Sequence, residues 1–192
     1  MKDDMMKPKP FVKWAGGKVQ LLPQLLKHKP DSFNRYLEPF VGGGALLFGL
    51  NNKKALINDS NEELMNCYEV IRDNPQKLIE DLHKHKNEKD YYYKIRKQNP
   101  SELTKIERAS RVIYLNRTCF NGLWRVNKKN QFNTPFGNYK NPKIVDAELI
   151  KAVSTFLKTI NISCIDFEEF LNNNAKAGDF IYLDPPYHPI SR

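Results

Sequence analysis

Apolar and polar positions along the chain follow two periods. Short apolar runs closed by turn residues predict strands at 35–41, 54–59, 161–165 and 180–183. Between them, spacing close to 3.6 predicts helices at 45–50, 61–72, 76–86, 91–98, 102–117, 146–157 and 168–172; in the fifth, Ile106, Ala109, Val112 and Ile113 share one face. Asn61 stands where a helix cap belongs, and Glu62 and Glu63 follow in the first turn, where the helix dipole favours acids. The first strand runs into Gly42, Gly43 and Gly44, and then directly into an apolar helix. Strand, tight turn and helix alternate, so the expected fold class is α/β.

The alternation breaks after residue 73, where helical segments are followed by a stretch rich in Asn, Gly, Lys and aromatic residues. Within it, 123–126 and 131–133 read as two arms of a basic hairpin joined by Lys128-Lys-Asn130, whose tip is expected to be exposed. The alternating pattern resumes near residue 144. The expected organisation is therefore an α/β domain built from 1–72 and 144–192, interrupted by a helical and β-hairpin subdomain at 73–143.

Composition narrows the partners. A chain of 192 residues holds one sizeable core, or one core plus a small subdomain, and 40% hydrophobic residues argue against disorder. The formal charge of +9 is concentrated between Lys84 and Lys143, among aromatic and Asn side chains, which suits an anionic partner as well as it suits a merely basic surface. No apolar run reaches the roughly 18 residues of a membrane span, and the first ten residues lack the apolar centre of a signal peptide, so no membrane is expected and a cytoplasmic location is. Cys67, Cys119 and Cys164 are odd in number and far apart, which predicts neither a disulfide framework nor a zinc site.

Two cofactor classes fail on spacing. A dinucleotide fingerprint starting at Gly42 needs glycine where Leu47 stands, and a phosphate-binding loop ending at Gly16-Gly-Lys18 needs glycine where Val12 stands and a hydroxyl where Val19 stands. What remains is a glycine turn after a first strand and Asp59 after a second, the edge at which α/β sheets bind ligands. An acid there can accept hydrogen bonds from ribose hydroxyls; the plain structural alternative is a tight turn and a capping acid. Asp184-Pro-Pro-Tyr187 is sharper. Two prolines remove two N–H donors and fix the backbone, leaving a carboxylate and carbonyls outward beside an aromatic ring, an acceptor array suited to a planar heterocycle bearing an NH2 group.

Lys13-Trp-Ala-Gly-Gly-Lys18, Glu38-Pro-Phe-Val-Gly-Gly-Gly44 and Asp184-Pro-Pro-Tyr187, in that order, resemble the Dam-type family of DNA N6-adenine methyltransferases. Asn116-Arg-Thr-Cys-Phe-Asn-Gly-Leu-Trp-Arg125 and Phe132-Asn-Thr-Pro-Phe-Gly-Asn-Tyr-Lys140 are similar to that family's target-recognition hairpin. The resemblance implies a Rossmann-like sheet of the S-adenosylmethionine-dependent methyltransferases, S-adenosylmethionine as methyl donor, no metal, and double-stranded DNA as partner. The acceptor it implies is the exocyclic amine of adenine, within GATC, reached by base flipping and methylated by direct displacement. A cognate restriction endonuclease is a further partner that it allows.

Position by position, the resemblance places Trp14, Ala15, Gly16, Gly17 and Lys18 in an amino-terminal cofactor motif. It places Glu38, Pro39, Phe40, Gly42 and Gly44 in the glycine motif, Asp59 at the ribose, and Asp166 and Phe167 at the cofactor adenine. Asp184, Pro185, Pro186 and Tyr187 form the catalytic set, Asp184 touching cofactor as well. On the DNA side it implies Lys13, Arg117, Asn121, Leu123, Arg125, Asn133, Pro135, Tyr139 and Lys140, with Arg125 at a guanine-reading position and Asn121 and Tyr139 near the space a flipped base vacates. Family members continue well past the last motif, whereas this sequence stops at Arg192, so a carboxyl-terminal truncation is expected. A catalytically impaired DNA-binding fragment and a methyltransferase for RNA or protein amide nitrogen stay open as alternatives at this level.

Overall fold

The computed structural model describes residues 6–127 and 131–186. Four parallel strands form the sheet: β1 (Tyr36–Glu38), β2 (Ala55–Asn58), β3 (Asn161–Ser163) and β4 (Phe180–Ile181), in the spatial order β3-β2-β1-β4. Leu37 faces both Leu56 and Ile181 across the sheet, and Ile57 faces Ile162. The chain steps from β1 to β2 to β3 in one direction and returns to the far side of β1 for β4. The order thus reverses between β1 and β4, and such a switch opens a crevice at the carboxyl ends of the strands.

The α/β expectation holds, with shorter strands than the apolar runs suggested. Hydrogen bonding reaches beyond the regular strands, with Val41 N–H donating to Asn58 carbonyl at 2.9 Å and Tyr182 N–H to Leu37 carbonyl at 2.9 Å, but the turns begin at once after them. Helices α2 (Ala45–Leu50), α3 (Glu62–Asp73), α4 (Pro75–Leu82), α5 (Lys89–Lys97), α6 (Lys105–Thr118), α7 (Ala147–Leu157) and α8 (Phe167–Asn174) lie within a few residues of their expected limits. Asn61 caps α3 through its side chain, and Thr104 with Glu107 closes a reciprocal cap on α6.

One helix was not legible. Leu22–His28, here α1, follows a short 3-10 turn at Val19–Leu21; Pro23 reads as a breaker but occupies the first turn, where the missing N–H costs nothing. Leu22, Leu25 and Leu26 fix it against the core, so the helix is a product of packing more than of its own seven-residue sequence.

The main core takes in residues from within 73–143 as well as from the sheet and its flanking helices. Tyr36, Leu46, Leu47, Ile57, Leu64, Tyr68 and Ile71 pack with Ala109, Val112 and Ile113 of α6 and with Leu149, Val153 and Phe156 of α7. A second cluster, Tyr92, Ile95, Tyr114, Leu115, Cys119 and Phe132, lies beneath the hairpin, so α6 serves both. Beside it the ring of His85 stacks on Tyr114 at 4.3 Å, its Nδ1 is 3.0 Å from Tyr91 Oη and its Nε2 is 3.0 Å from Ser110 Oγ. Among the described residues, no helix is long and apolar enough to cross a membrane.

Candidate active site and nucleic-acid interface

Because all four strands are parallel, their carboxyl ends meet at one edge, and an acid lies at or just after the end of each strand there. Glu38 leaves β1 into the glycine turn, Asp59 follows β2, Asp166 follows β3, and Asp184 follows β4. A cleft of about 490 Å³ opens between β1 and β4, lined by Trp14, Ala15, Gly16, Gly17, Lys18, Glu38, Phe40, the three glycines, Asp59, Tyr182, Asp184, Pro185 and Pro186. Lys18 and Asp184, 166 residues apart, form an ion pair of 2.5 Å across its mouth.

The turn that floors the cleft needs glycine. Gly42 and Gly44 have φ of +48° and +72°, and a Cβ on Gly44 would stand 2.7 Å from the Tyr68 hydroxyl. Tyr68 donates to the Gly42 carbonyl at 3.0 Å, and Asp59 accepts from Gly42 N–H at 3.0 Å and from Asn61 N–H at 3.0 Å. Asp59 therefore shapes the turn and lines the cleft at once. Burial pushes its carboxyl above the usual range, and the two N–H donors oppose the shift.

Glu38 is the least satisfied group in the cleft. It is 3% exposed, and among the described residues neither its Oε2 nor the neighbouring Tyr36 hydroxyl makes a hydrogen bond of good geometry. Burial pushes its carboxyl up to about 8; the nearby Tyr36 hydroxyl tempers the shift, and the charge of Asp184 adds to it. An orphaned acceptor facing a glycine-floored cleft fits a ligand that brings N–H groups or positive charge. A bound S-adenosylmethionine would meet those requirements with its ammonium and sulfonium groups.

The remaining positions divide. Phe167 and Phe40 pack ring to ring at 5.2 Å beside the cleft, while Asp166 caps α8 by accepting from Glu168 N–H at 2.8 Å; neither Asp166, Phe167 nor Pro39 lines the cleft itself. Tyr187, like Lys128 and Lys129 of the hairpin tip, lies outside the described residues. Asn58 was missed in the sequence. Buried at the end of β2, it donates to the carbonyls of Pro39 and Ile165 and accepts from Ile165 N–H, tying three strand ends together. A lone amide closing an apolar strand was the available signal.

The expected hairpin forms. Val126 bridges Phe132, Asn133 N–H donates to Arg125 carbonyl at 3.0 Å, and Asn127 N–H to Gln131 carbonyl at 2.9 Å; the pairing extends back to Cys119 and Phe136. Asn121, in a left-handed conformation, Leu123, Arg125, Pro135, Tyr139 and Lys140 are exposed. Lys13, Arg117, Tyr139 and Lys140 line a small cleft near the hairpin base. Arg117 also points inward, its Nη2 donating to Phe11 carbonyl at 2.8 Å, and burial lowers its pKa.

The hairpin and the segment around Trp14 touch. Trp14 stacks on Trp124 with centroids 5.7 Å apart and planes at 17°. Asn116 of α6 accepts from Lys13 N–H and donates to the carbonyls of Lys13 and Gly122, fastening both segments to one helix. The base of the hairpin is thus held against Trp14, which lines the cleft.

The profile for the D12 class N6 adenine-specific DNA methyltransferase family matches residues 14–192. The chain belongs to that family. It is 50% identical to the type II methyltransferase M1.LlaDCHI of Lactococcus lactis subsp. cremoris, over 95% of this chain and 67% of that protein. It is 44% identical to the type II methyltransferase M.MjaIII of Methanocaldococcus jannaschii, over 97% of this chain and 72% of that one. With the DNA adenine methylase of Haemophilus influenzae it shares 36%, over 97% of this chain and 66% of the relative. A D12-class methyltransferase is an enzyme, and for this chain the reaction class is N6-adenine methylation of DNA.

Proposed function

We propose that the methyl donor is S-adenosylmethionine, that the acceptor is an adenine flipped out of duplex DNA, and that the site is GATC. The observation that carries this reading is the juxtaposition of Asp184 and Pro185 with a glycine-floored cleft whose buried Glu38 has an unmet acceptor. When bound, S-adenosylmethionine would supply an electrophilic methyl on sulfonium and would leave as the neutral thioether, the proton of the methylated amine passing to solvent.

The chain's own residues do the rest by binding and orientation. The glycine turn, Asp59 and Glu38 hold the donor, Asp59 accepting from ribose hydroxyls and Glu38 from the cationic end, with Phe40 and Phe167 beside the adenine end. The acceptor amine is a poor nucleophile because its lone pair is delocalised into the ring. Asp184 and the Pro185 carbonyl accept its two hydrogens and favour a pyramidal nitrogen, so the contribution is positioning and electrostatics. Lys18 fixes the Asp184 carboxylate at the mouth of the cleft. Extrusion of the base costs a few kcal/mol, offset by stacking on Tyr187 and by hairpin residues such as Asn121 and Tyr139 entering the gap.

The relatives named type II methyltransferases support a place on the modification side of a restriction system, with a cognate endonuclease as partner, and the family description, an adenine-specific DNA methyltransferase, supports DNA over RNA or protein. Transfer of label from S-adenosylmethionine to GATC duplexes, scrambled duplexes and single-stranded RNA tests the reading. Label confined to GATC duplexes is expected. Equal labelling of scrambled duplexes would overturn the site, and labelling of RNA alone would overturn the substrate.

A further inference from the structure

Arg125 stands on the outgoing arm of the hairpin with its guanidinium exposed, and one of its three nitrogens is already engaged: Nε donates to Asn133 Oδ1 at 2.8 Å. Neither Nη group bonds another described residue. The two residues face each other in register, since Asn133 N–H donates to the Arg125 carbonyl.

Asn133 itself rests on a braced platform. Arg96 Nη1 reaches the Asn133 carbonyl at 3.4 Å and the Thr134 carbonyl at 3.1 Å, and Tyr92 Oη donates to the same Thr134 carbonyl at 2.8 Å. Thr134 Oγ1 ties back to the Leu123 carbonyl at 2.7 Å, Phe132 packs under Trp124 at 4.6 Å, and Arg96 lies over the Tyr93 ring at 4.7 Å. The amide that grips Arg125 is therefore anchored to α5 and the second core cluster.

An unrestrained arginine samples many rotamers and loses that freedom on binding. A bond at Nε removes part of the loss beforehand and leaves the two Nη groups in a fork, matching the two acceptors a guanine presents in the major groove. We propose that Asn133 is a specificity-determining positioning residue, which holds Arg125 by Nε so that both Nη groups address one guanine. The inference deepens the assignment of Arg125 as a guanine reader and rests on it.

Equilibrium binding decides it, measured over a salt series on two duplexes: the site the protein methylates, and the same site with its outer guanine replaced. The readout is the affinity ratio between the duplexes, for wild type, Arg125→Ala, Asn133→Ala, Asn133→Asp and the double alanine variant. Asn133→Ala is expected to lower the ratio by about three- to tenfold, the scale of one hydrogen bond, with the salt slope unchanged. In the Arg125→Ala background it should do nothing further. Asn133→Asp keeps an acceptor for Nε and should keep the ratio, even though its added charge weakens binding to both duplexes.

If Asn133→Ala weakens both duplexes alike and reduces the salt slope by about one unit, Asn133 is a phosphate contact and the proposal falls. Loss of the ratio in Asn133→Asp overturns it as well. A ratio that collapses in Arg125→Ala and survives in Asn133→Ala overturns the positioning alone, whereas a ratio unchanged in Arg125→Ala overturns the guanine assignment itself.

Discussion

Asp184 and Glu38 are two carboxylates of one cleft in opposite circumstances. Asp184 is tethered by Lys18 at the open mouth, while Glu38 is buried with an unmet oxygen. If Asp184 holds the reacting amine, Asp184→Ala should cut methyl transfer by more than tenfold, over 1.4 kcal/mol, while cofactor binding stays within about threefold; a smaller kinetic loss would end that assignment. Glu38 makes its mark on stability. Its folded carboxyl titrates near 8 against an ordinary 4.5, so its contribution is fully present below 4.5 and is lost as pH rises toward 8. Wild type should therefore lose stability relative to Glu38→Gln as pH rises across that window, as urea unfolding at several pH values would show. A constant difference between the two proteins would contradict the buried, protonated carboxyl.

At the level of elements, the glycine turn and the stacked helices of the insert show how local sequence acquires long-range partners. Asp59 both braces Gly42 and lines the cleft, so Asp59→Ala should weaken S-adenosylmethionine by about 1.5–3 kcal/mol, the scale of a charged hydrogen bond, and Asp59→Asn by less. Calorimetry would check both, and unchanged affinity in Asp59→Ala would remove it from the site. In the insert, burial lowers the pKa of His85 to about 4, with nearby Asp81 opposing and Lys84 reinforcing the shift. The neutral ring is the folded one. Its contribution is complete above 6.5 and is lost as pH falls toward 4, so acid should destabilise wild type more than His85→Gln. Between about 4.5 and 6.5 this slope opposes that of Glu38, and only the paired variants separate the two.

For the molecule as a whole, the contact between the hairpin and the glycine-floored cleft matters most. The sequence contains two tryptophans, and they stack on each other at the junction, with Trp14 also 3.1 Å from where a Gly42 Cβ would lie. Intrinsic fluorescence should therefore respond when S-adenosylmethionine enters the cleft. Trp124→Ala, although it lies on the hairpin, should lower cofactor affinity by about two- to tenfold, the worth of an aromatic pair. Titration of both proteins without DNA would test this, and identical affinities would show that the stack carries no energy into the cleft.

The order of elements, the glycine turn and the cap at Asn61 were legible in the sequence because each depends on neighbours within a few residues. So was the presence of a hairpin between residues 123 and 133, whereas the pairing of Arg125 with Asn133 came only from the folded backbone. Helix Leu22–His28 was not, because distant core residues stabilise it. Nor were the ion pair of Lys18 with Asp184, the inward bond of Arg117 to Phe11, the strand-tying role of Asn58 or the orphaned oxygen of Glu38. The sequence by itself determined which chemical groups the chain carries and at which turns. Only the parallel sheet, by bringing the carboxyl ends of strands over 140 residues apart to one edge, decided which groups meet and which are left buried without a partner.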